Sequence, residues 1–266
     1  MPRLGCCIPG GSFMPQGVGS VENSFDVLKF GAKAVYDCGY DYLEATVGSI
    51  MALEPEEIDK LSSEGFKIEV CNSFIPPKYS IMNRASGLEE YVCEAMRRMH
   101  LLGCDTVVLG SGGARKVPDN MDTSEAESIF GEFLLMCNKY CEKYSITLVL
   151  EPLNYKECNF FNTVSHGARL VKRYDIKNVK LLADAYHMSV EKEPLSTLCD
   201  VSDILCHVHV ADPERRYPGY KDKEYIKAVA EALKSAGYNK RVTVECGFED
   251  FKTEAVLAER FLREIF

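Results

Sequence analysis

The 266-residue sequence contains no tryptophan, and several patterns that mark whole classes of protein are also missing. No apolar run approaches the roughly 20 residues that a membrane-spanning helix needs, and the amino terminus lacks the apolar core of a signal peptide. No two cysteines have the C-x-x-C spacing of zinc and redox motifs. The sequence therefore predicts no membrane partner, and we expect a cytoplasmic protein.

Positive charge is also scarce. There are 31 Lys and Arg residues against 40 Asp and Glu, which gives a formal net charge of −9, and only five histidines. A protein that binds the phosphates of a nucleic acid needs clustered positive charge. We therefore expect no nucleic-acid partner.

Cysteine, by contrast, is abundant, with 12 residues scattered along the chain. Several lie within apolar runs, where a free cysteine behaves as a small hydrophobe. Cys137 and Cys141 are one helical turn apart, and we expect both to face the core. Without an export signal, the sequence predicts reduced thiols and not a disulfide framework.

The order of the predicted elements defines the fold class. Eight units, each a short apolar strand followed by a helix, run through the chain without a linker, and such alternation predicts a parallel sheet. About 250 residues is typical of a (β/α)8 TIM barrel. We predict a single TIM-barrel domain over residues 1–266, with an open doubly wound sheet as the alternative.

Ile146 to Leu150 is a run of mostly apolar, β-branched or leucine residues that ends at Glu151 and Pro152. Such a run is typical of a buried parallel strand, and the proline cannot continue the hydrogen-bonded ladder. Glu151 is therefore predicted at the carboxyl end of a strand, the edge at which α/β barrels place their active sites. We expect the metal and active site at this edge.

Three further strands carry similar residues, namely Asp184, His209 and Glu245. Three carboxylates and one imidazole form an oxygen-rich set that suits one divalent cation, with Mn²⁺ preferred and Mg²⁺, Co²⁺ or Zn²⁺ as alternatives. The competing interpretation is four unrelated polar strand ends. His207 shares the strand face of His209, and we expect it deeper in the barrel in a structural role.

Other predictions concern loops and element bounds. We predict a loop from Pro9 that contains Phe13, a third strand over Phe66–Cys71, and a helix over 123–144 capped by Thr123. The glycine-rich run from Gly110 ends at Arg115 and permits two interpretations, a phosphate cradle or a tight turn. We favour the turn, and so an unphosphorylated substrate.

Four segments resemble the xylose-isomerase-like TIM barrels, and within them the ketose 3-epimerases of the D-tagatose and D-psicose type. These segments are EPLNYKE (151–157), DAYHM (184–188), HVHVADPERR (207–216) and VECG (244–247). The resemblance extends over essentially the whole chain. Two departures leave the sugar open: epimerases of this type often place a tryptophan against the sugar, and the loop after His209 differs from theirs.

The resemblance implies specific roles for seven residues. Glu151 and Glu245 would be metal ligands and also the catalytic acid–base pair, and Asp184 and His209 would complete the metal sphere. Contacts to the oxygens of a small sugar substrate would come from Glu157, His187 and Arg215. A homodimer and a homotetramer both stay open.

The implied reaction moves a proton on the carbon beside a ketone, through an enediolate. Such a reaction needs a base on each face of the sugar and a Lewis acid on its oxygens, which fits glutamates on the fifth and eighth strands. Alternatives on the same scaffold are an inosose-dehydratase-type lyase and a hydroxypyruvate-isomerase-like enzyme. Few histidines and negative charge disfavour an endonuclease-IV-type nuclease, and the two glutamates disfavour a non-catalytic sugar-binding barrel.

Overall fold

In a computed structural model, which describes residues 1–8 and 24–266, eight parallel strands close into a barrel. Each strand pairs with the next in the chain, and the last pairs with the first. The predicted (β/α)8 barrel is confirmed, and the open sheet is wrong. The strands are β1 (Arg3–Cys7), β2 (Tyr42–Thr46), β3 (Val70–Asn72), β4 (Thr106–Leu109), β5 (Thr147–Leu150), β6 (Val179–Asp184), β7 (Leu205–Val210) and β8 (Arg241–Val244).

The described part of the chain also forms ten helices, which pack around the barrel. None of them has both the length and the apolar character needed to cross a bilayer. The predicted loop at Pro9 to Phe13 lies outside the described residues. The helices are α1 (Ser24–Asp37), α2 (Val47–Met51), α3 (Pro55–Ser63), α4 (Leu88–Leu101), α5 (Thr123–Tyr144), α6 (Val164–Tyr174), α7 (Ala185–Val190), α8 (Thr197–Asp200), α9 (Lys223–Ser235) and α10 (Phe251–Ile265).

The apolar core has two parts, because alternate strand residues point into the barrel and out toward the helices. The larger part lies between strands and helices, and Cys137 and Cys141 are buried in it as predicted. The smaller part fills the barrel interior and includes Tyr42. A Cβ on Gly5 would lie 2.3 Å from the Tyr42 ring, so β1 requires glycine beside this large side chain.

Two predicted bounds are wrong for identifiable reasons. Strand β3 begins at Val70 and not at Phe66, because the amides of Phe66 and Ile68 donate to the ends of α3 and α4 and not to a neighbouring strand. The cap of α5 is Asp122 and not Thr123. The Asp122 side chain accepts a hydrogen bond from the amide of Glu125, which satisfies one of the free donors at the start of the helix.

Candidate metal centre and active site

Four side chains meet at the carboxyl ends of strands β5 to β8. Glu151 and Glu245 directly follow β5 and β8, Asp184 ends β6, and His209 lies near the end of β7. One ligand atom from each lies within 4.8 Å of the others. All four are buried, and Glu245, the most accessible, is 8% exposed. The structure thus brings together the four residues that the sequence suggested as ligands.

An irregularity in the pairing of β6 with β7 helps to align two of these side chains. Leu181 pairs with Leu205, but the next residue, Leu182, pairs with His207, so β7 carries one extra residue at this point. Beyond this bulge, Asp184 pairs directly with His209. Because a shift of one residue reverses the face of a strand, the bulge lets both side chains point into the barrel.

His209 is at the centre of the cluster. Its Nδ1 lies 3.2 Å from Oε1 of Glu151, 3.4 Å from Oε2 of Glu245 and 3.9 Å from Oδ2 of Asp184. Its other ring nitrogen, Nε2, lies 3.0 Å from Oε1 of Glu44. One side of the ring therefore faces the three carboxylates, and the other faces a carboxylate on β2.

These contacts shift the pKa values of the group. Burial alone would lower the pKa of His209, but Glu44 and Glu245 raise it well above its ordinary value. Burial raises the pKa of Glu151, against the opposing effect of its contact with His209. Burial would also raise the pKa of Glu245, but His209 and then Arg215 lower it. The two glutamates thus differ in proton affinity, a pattern that suits an acid and a base.

The donor set fits a divalent cation. Three buried carboxylates repel one another, and burial without a compensating charge is costly. Oxygen ligands with a single imidazole suit Mn²⁺, Mg²⁺ or Co²⁺, and Zn²⁺ remains compatible with the set. Glu151, Asp184, His209 and Glu245 are the residues that could hold such an ion.

The cluster lies beneath a cleft of about 510 Å³. Glu151 and Glu245 line this cleft, whereas Asp184 and His209 are more deeply buried, at 2% and 0% exposure. The predicted substrate-binding residues Glu157, His187 and Arg215 line the same cleft. A small molecule there would therefore reach both glutamates and all three of these residues.

His187 lies in the short helix α7, and it is 3% exposed. Its Nδ1 accepts a hydrogen bond from the main-chain amide of Asn154 at 3.2 Å, so a neutral ring carries its proton on Nε2. That nitrogen is buried and has no hydrogen-bond partner among residues 1–8 and 24–266. His187 is therefore prepared to donate to an oxygen of a bound molecule.

Arg215 links the cleft to the cluster. Its Nη1 lies 3.0 Å from Oε1 of Glu157, and its Nη2 lies 3.6 Å from Oε2 of Glu245. The guanidinium carbon is 4.6 Å from the centre of the Tyr186 ring. The side chain is only 24% exposed, so it is held within the cleft and is not a freely solvated cation.

Below the four candidate metal ligands lies a buried column of polar side chains, most of which the sequence did not single out. Oε2 of Glu44 contacts Nε2 of His207 at 3.1 Å, and that nitrogen contacts Oγ1 of Thr243 at 3.0 Å. The Thr243 hydroxyl in turn lies 2.8 Å from the hydroxyl of Tyr42. The predicted structural position of His207 is confirmed. A carboxylate inside the apolar strand β2 was the signal that identifies Glu44.

Two more residues near the cluster make contacts that the sequence did not predict. Asn72, at the end of β3, has its amide nitrogen 3.5 Å from Oε1 of Glu245, and its position at a strand end was a usable signal. Arg115 is completely buried and donates to main-chain oxygens, including that of Glu151. It is therefore not available to a phosphate, and the glycine-rich segment forms a turn.

A parallel eight-stranded barrel with buried carboxylates and histidine at its carboxyl edge defines a class of TIM barrels that could hold a metal ion there. Within this class, the chain belongs to the xylose isomerase-like TIM barrel family, whose sequence profile matches residues 32–265. This confirms the family suggested by the four segments.

Individual relatives share shorter segments. A 3-dehydro-D-guloside 4-epimerase from Escherichia coli is 36% identical over 97 residues, which cover 36% of this chain and 37% of the relative. A D-psicose 3-epimerase from Ruminiclostridium cellulolyticum is 32% identical over 108 residues, which cover 40% of this chain and 36% of the relative. The matched part thus spans little more than a third of these curated relatives.

The fold similarity is more extensive. The crystal structure of a D-allulose 3-epimerase from Methylomonas sp. superposes with a TM-score of 0.84, covering 100% of this chain and 98% of that one. The sequence identity is 17%, so this similarity supports the fold alone.

Proposed function

We propose that the protein is a metal-dependent sugar epimerase that inverts a carbon next to a ketone. Glu151 and Glu245 would exchange protons with the substrate carbon, and Asp184 and His209 would complete the metal site. The substrate would be a keto sugar bound in the cleft above them.

The proposal rests chiefly on the relationship between the two glutamates. They follow β5 and β8, both line the cleft, and both have a carboxylate oxygen within 3.4 Å of Nδ1 of His209. A sugar above the cluster would therefore have a carboxylate available from each of two separate strands. Inversion at carbon requires this, because the proton leaves one face and returns to the other.

A bound divalent cation would act as a Lewis acid on substrate oxygens, which makes the neighbouring carbon more acidic. The chain itself supplies the proton transfers. The unequal pKa values of Glu151 and Glu245 favour one glutamate in its protonated form while the other is ionised. Arg215 lies close to Glu245 and favours its ionised form.

The relatives support the type of reaction, but they do not single out one sugar as the substrate. The names 3-dehydro-D-guloside 4-epimerase and D-psicose 3-epimerase describe inversion at C4 beside a C3 ketone and at C3 beside a C2 ketone. A carbon next to a carbonyl can be inverted by removing its proton and returning one to the opposite face. We therefore propose this shared chemistry for the chain, with ketoses and 3-keto glycosides as the two substrate classes to compare.

Glu157, His187 and Arg215 would position the sugar. His187 offers an N–H from Nε2, and the Arg215 guanidinium offers donors beside the carboxylate of Glu157. Hydrogen bonds from charged and neutral groups of this kind orient sugar hydroxyls and reject analogues that lack them. In this proposal the three residues bind substrate and do not themselves move the proton.

The compartment and assembly are part of the same proposal. All 12 cysteines are described and free, nine of them buried, which suits the reducing cytoplasm. The assembly would be a homodimer or a homotetramer.

A substrate panel tests the proposal directly. Purified protein with added Mn²⁺ would be incubated with ketoses, 3-keto glycosides, inososes and hydroxypyruvate, and the products analysed by chromatography and NMR. We expect an epimer with the mass of its substrate. A dehydrated product would select the lyase, aldehyde–ketone interconversion of hydroxypyruvate would select that isomerase, and inactivity on every compound would contradict the proposal.

A further inference from the structure

Glu44 has no role in the proposed reaction, yet it is completely buried directly beneath the metal cluster. Its carboxylate contacts two histidines: Nε2 of His209 lies 3.0 Å from Oε1 and 3.3 Å from Oε2, and Nε2 of His207 lies 3.1 Å from Oε2. A buried carboxylate with two such partners is fully engaged, so its position is fixed by this contact and not by solvent.

The proton positions follow from the chemistry of the groups. An ionised carboxylate only accepts hydrogen bonds, so the nitrogen facing it must carry the proton. Nε2 of His209 faces Glu44, which leaves the lone pair of a neutral ring on Nδ1. Nδ1 is the atom that faces Glu151, Asp184 and Glu245.

We infer that Glu44 is a positioning residue that fixes His209 in the tautomer with the proton on Nε2, so that Nδ1 is presented to the metal site. The inference rests on the metal site of the proposed function. Carboxylates that accept the second N–H of a metal-binding histidine generally orient the ring and increase its basicity. Glu44 would thus act through His209 without contacting metal or substrate.

Glu44, His207 and His209 could also be considered a second metal site, because their ligand atoms lie within 4.8 Å of one another. The hydrogen bonds argue against this interpretation. Metal binding there would require Nε2 of both rings to lose the protons that face the carboxylate. The lower group is therefore a hydrogen-bonded support for the upper one.

Glu44→Gln tests the inference with almost no change in volume. Glutamine keeps one acceptor oxygen, to which one histidine can still donate. Its N–H₂ group faces the other histidine, whose Nε2 can then no longer donate a hydrogen bond at this position. We expect the dissociation constant for Zn²⁺, measured by competition with a chromophoric chelator, to increase about 10- to 100-fold. Glu44→Asp, which keeps the charge, should recover part of this loss.

Thr243→Val is the matched control. It removes the hydroxyl next to His207 but leaves the contact between Glu44 and His209 intact. We expect its Zn²⁺ affinity to equal that of the unmodified protein. Thermal unfolding of each variant without metal measures any general loss of stability. If Glu44 had only a structural role, Glu44→Gln would lower the melting temperature without changing the tautomer of His209.

The tautomer itself can be measured without any substitution. In the Zn²⁺ complex of ¹⁵N-histidine-labelled protein, NMR should show His209 protonated on Nε2 and bound through Nδ1. Three results would overturn the inference but leave the metal site of Glu151, Asp184, His209 and Glu245 in place. They are coordination of Zn²⁺ through Nε2 of His209, an unchanged Zn²⁺ affinity in Glu44→Gln, and two Zn²⁺ ions per chain of which Glu44→Gln loses one. No Zn²⁺ binding by the unmodified protein would overturn both.

Discussion

The guanidinium of Arg115 donates a hydrogen bond of 2.9 Å to the main-chain oxygen of Glu151, and so connects the glycine-rich turn to a proposed catalytic residue. The same group donates to the oxygens of Gly110 and Phe160, each at 2.6 Å. It also lies 3.5 Å above the ring of Phe161. Burial lowers the pKa of Arg115 to about 10, so the side chain is still cationic at neutral pH.

Arg115→Met should strongly destabilise the protein, because it leaves three main-chain oxygens without their donor in a buried site. Each such loss costs about 1–3 kcal/mol, so we expect the free energy of unfolding to fall by about 3 kcal/mol or more. Denaturation in urea measures this value. Arg84→Met is the control: Arg84 pairs with Glu132 on the surface, where an ion pair contributes about 0–1 kcal/mol. Equal effects of the two changes would contradict the assigned role.

Gly110→Ala should affect the metal site more than stability. A Cβ at this position would lie 2.2 Å from Oε2 of Glu151, and the flexible carboxylate can move away from it. We expect weaker Mn²⁺ binding and lower activity with a small change in melting temperature. Gly48→Ala is a matched control on the same cleft, since its nearest neighbour would be Oγ1 of Thr46 at 3.9 Å. Unaltered Mn²⁺ affinity in Gly110→Ala would refute this expectation.

Asp184→Asn separates two tasks of one side chain. Oδ1 of Asp184 accepts hydrogen bonds from the amides of Tyr186 and His187, and an asparagine oxygen can keep this cap. The lost negative charge should weaken Mn²⁺ binding by on the order of tenfold or more, because ligand charge sets affinity. Calorimetric titration measures the affinity, and Asp122→Asn, at the cap of α5, should leave it unchanged.

EDTA treatment should abolish activity, and added Mn²⁺ should restore it; full activity of metal-free protein would disprove the site.

Much of the fold was readable from the sequence, because each buried parallel strand is a short apolar run with a clear end. The predicted strand bounds were less certain where the main chain is extended but does not form hydrogen bonds with a neighbouring strand. Residues 66–69 show this, since Phe66 and Ile68 donate to helix ends. The short helix α7 was hidden because its cap, Asp184, reads equally well as a strand-end ligand.

The upper ligands were also readable, since their positions relative to strand ends are local in sequence. Of the buried side chains beneath them, only His207 was predicted in its structural position. Glu44 contacts His207 and His209, 163 and 165 residues away, and only closure of the barrel brings β2 opposite β7. Arg115 shows the same limit of local sequence: the favoured turn is correct, but the main-chain oxygens of Glu151 and Phe160 that bind its guanidinium lie 36 and 45 residues away.

His187→Gln should weaken substrate binding without changing metal affinity. The substitution removes the ring N–H, which has no hydrogen-bond partner among residues 1–8 and 24–266, and a single hydrogen bond contributes about 0.5–1.5 kcal/mol. We expect kcat/KM to fall by up to about tenfold. Steady-state kinetics on the substrate found in the panel, together with Mn²⁺ titration, measures both quantities. A large loss of Mn²⁺ affinity would instead make His187 part of the metal site.

Turnover in heavy water should place deuterium on the inverted carbon of the product. One glutamate takes the proton from carbon, and the other returns a proton that has exchanged with solvent. NMR and mass spectrometry of the product measure the position and amount of deuterium. Product without deuterium after many turnovers would contradict proton transfer and indicate internal hydride movement, whereas loss of water would indicate a dehydratase.

Glu151→Gln and Glu245→Gln identify the two bases in the same assay. Each change removes one base and one charge of the metal site, so we expect both to abolish net epimerisation, measured at saturating Mn²⁺. Their combined effect should be far from additive, because the two residues act as a unit. A variant that keeps only the base facing the substrate proton can still remove and return it, so deuterium should enter unreacted substrate without inversion. Substantial epimerisation by either single variant would show that the missing glutamate is not a required base.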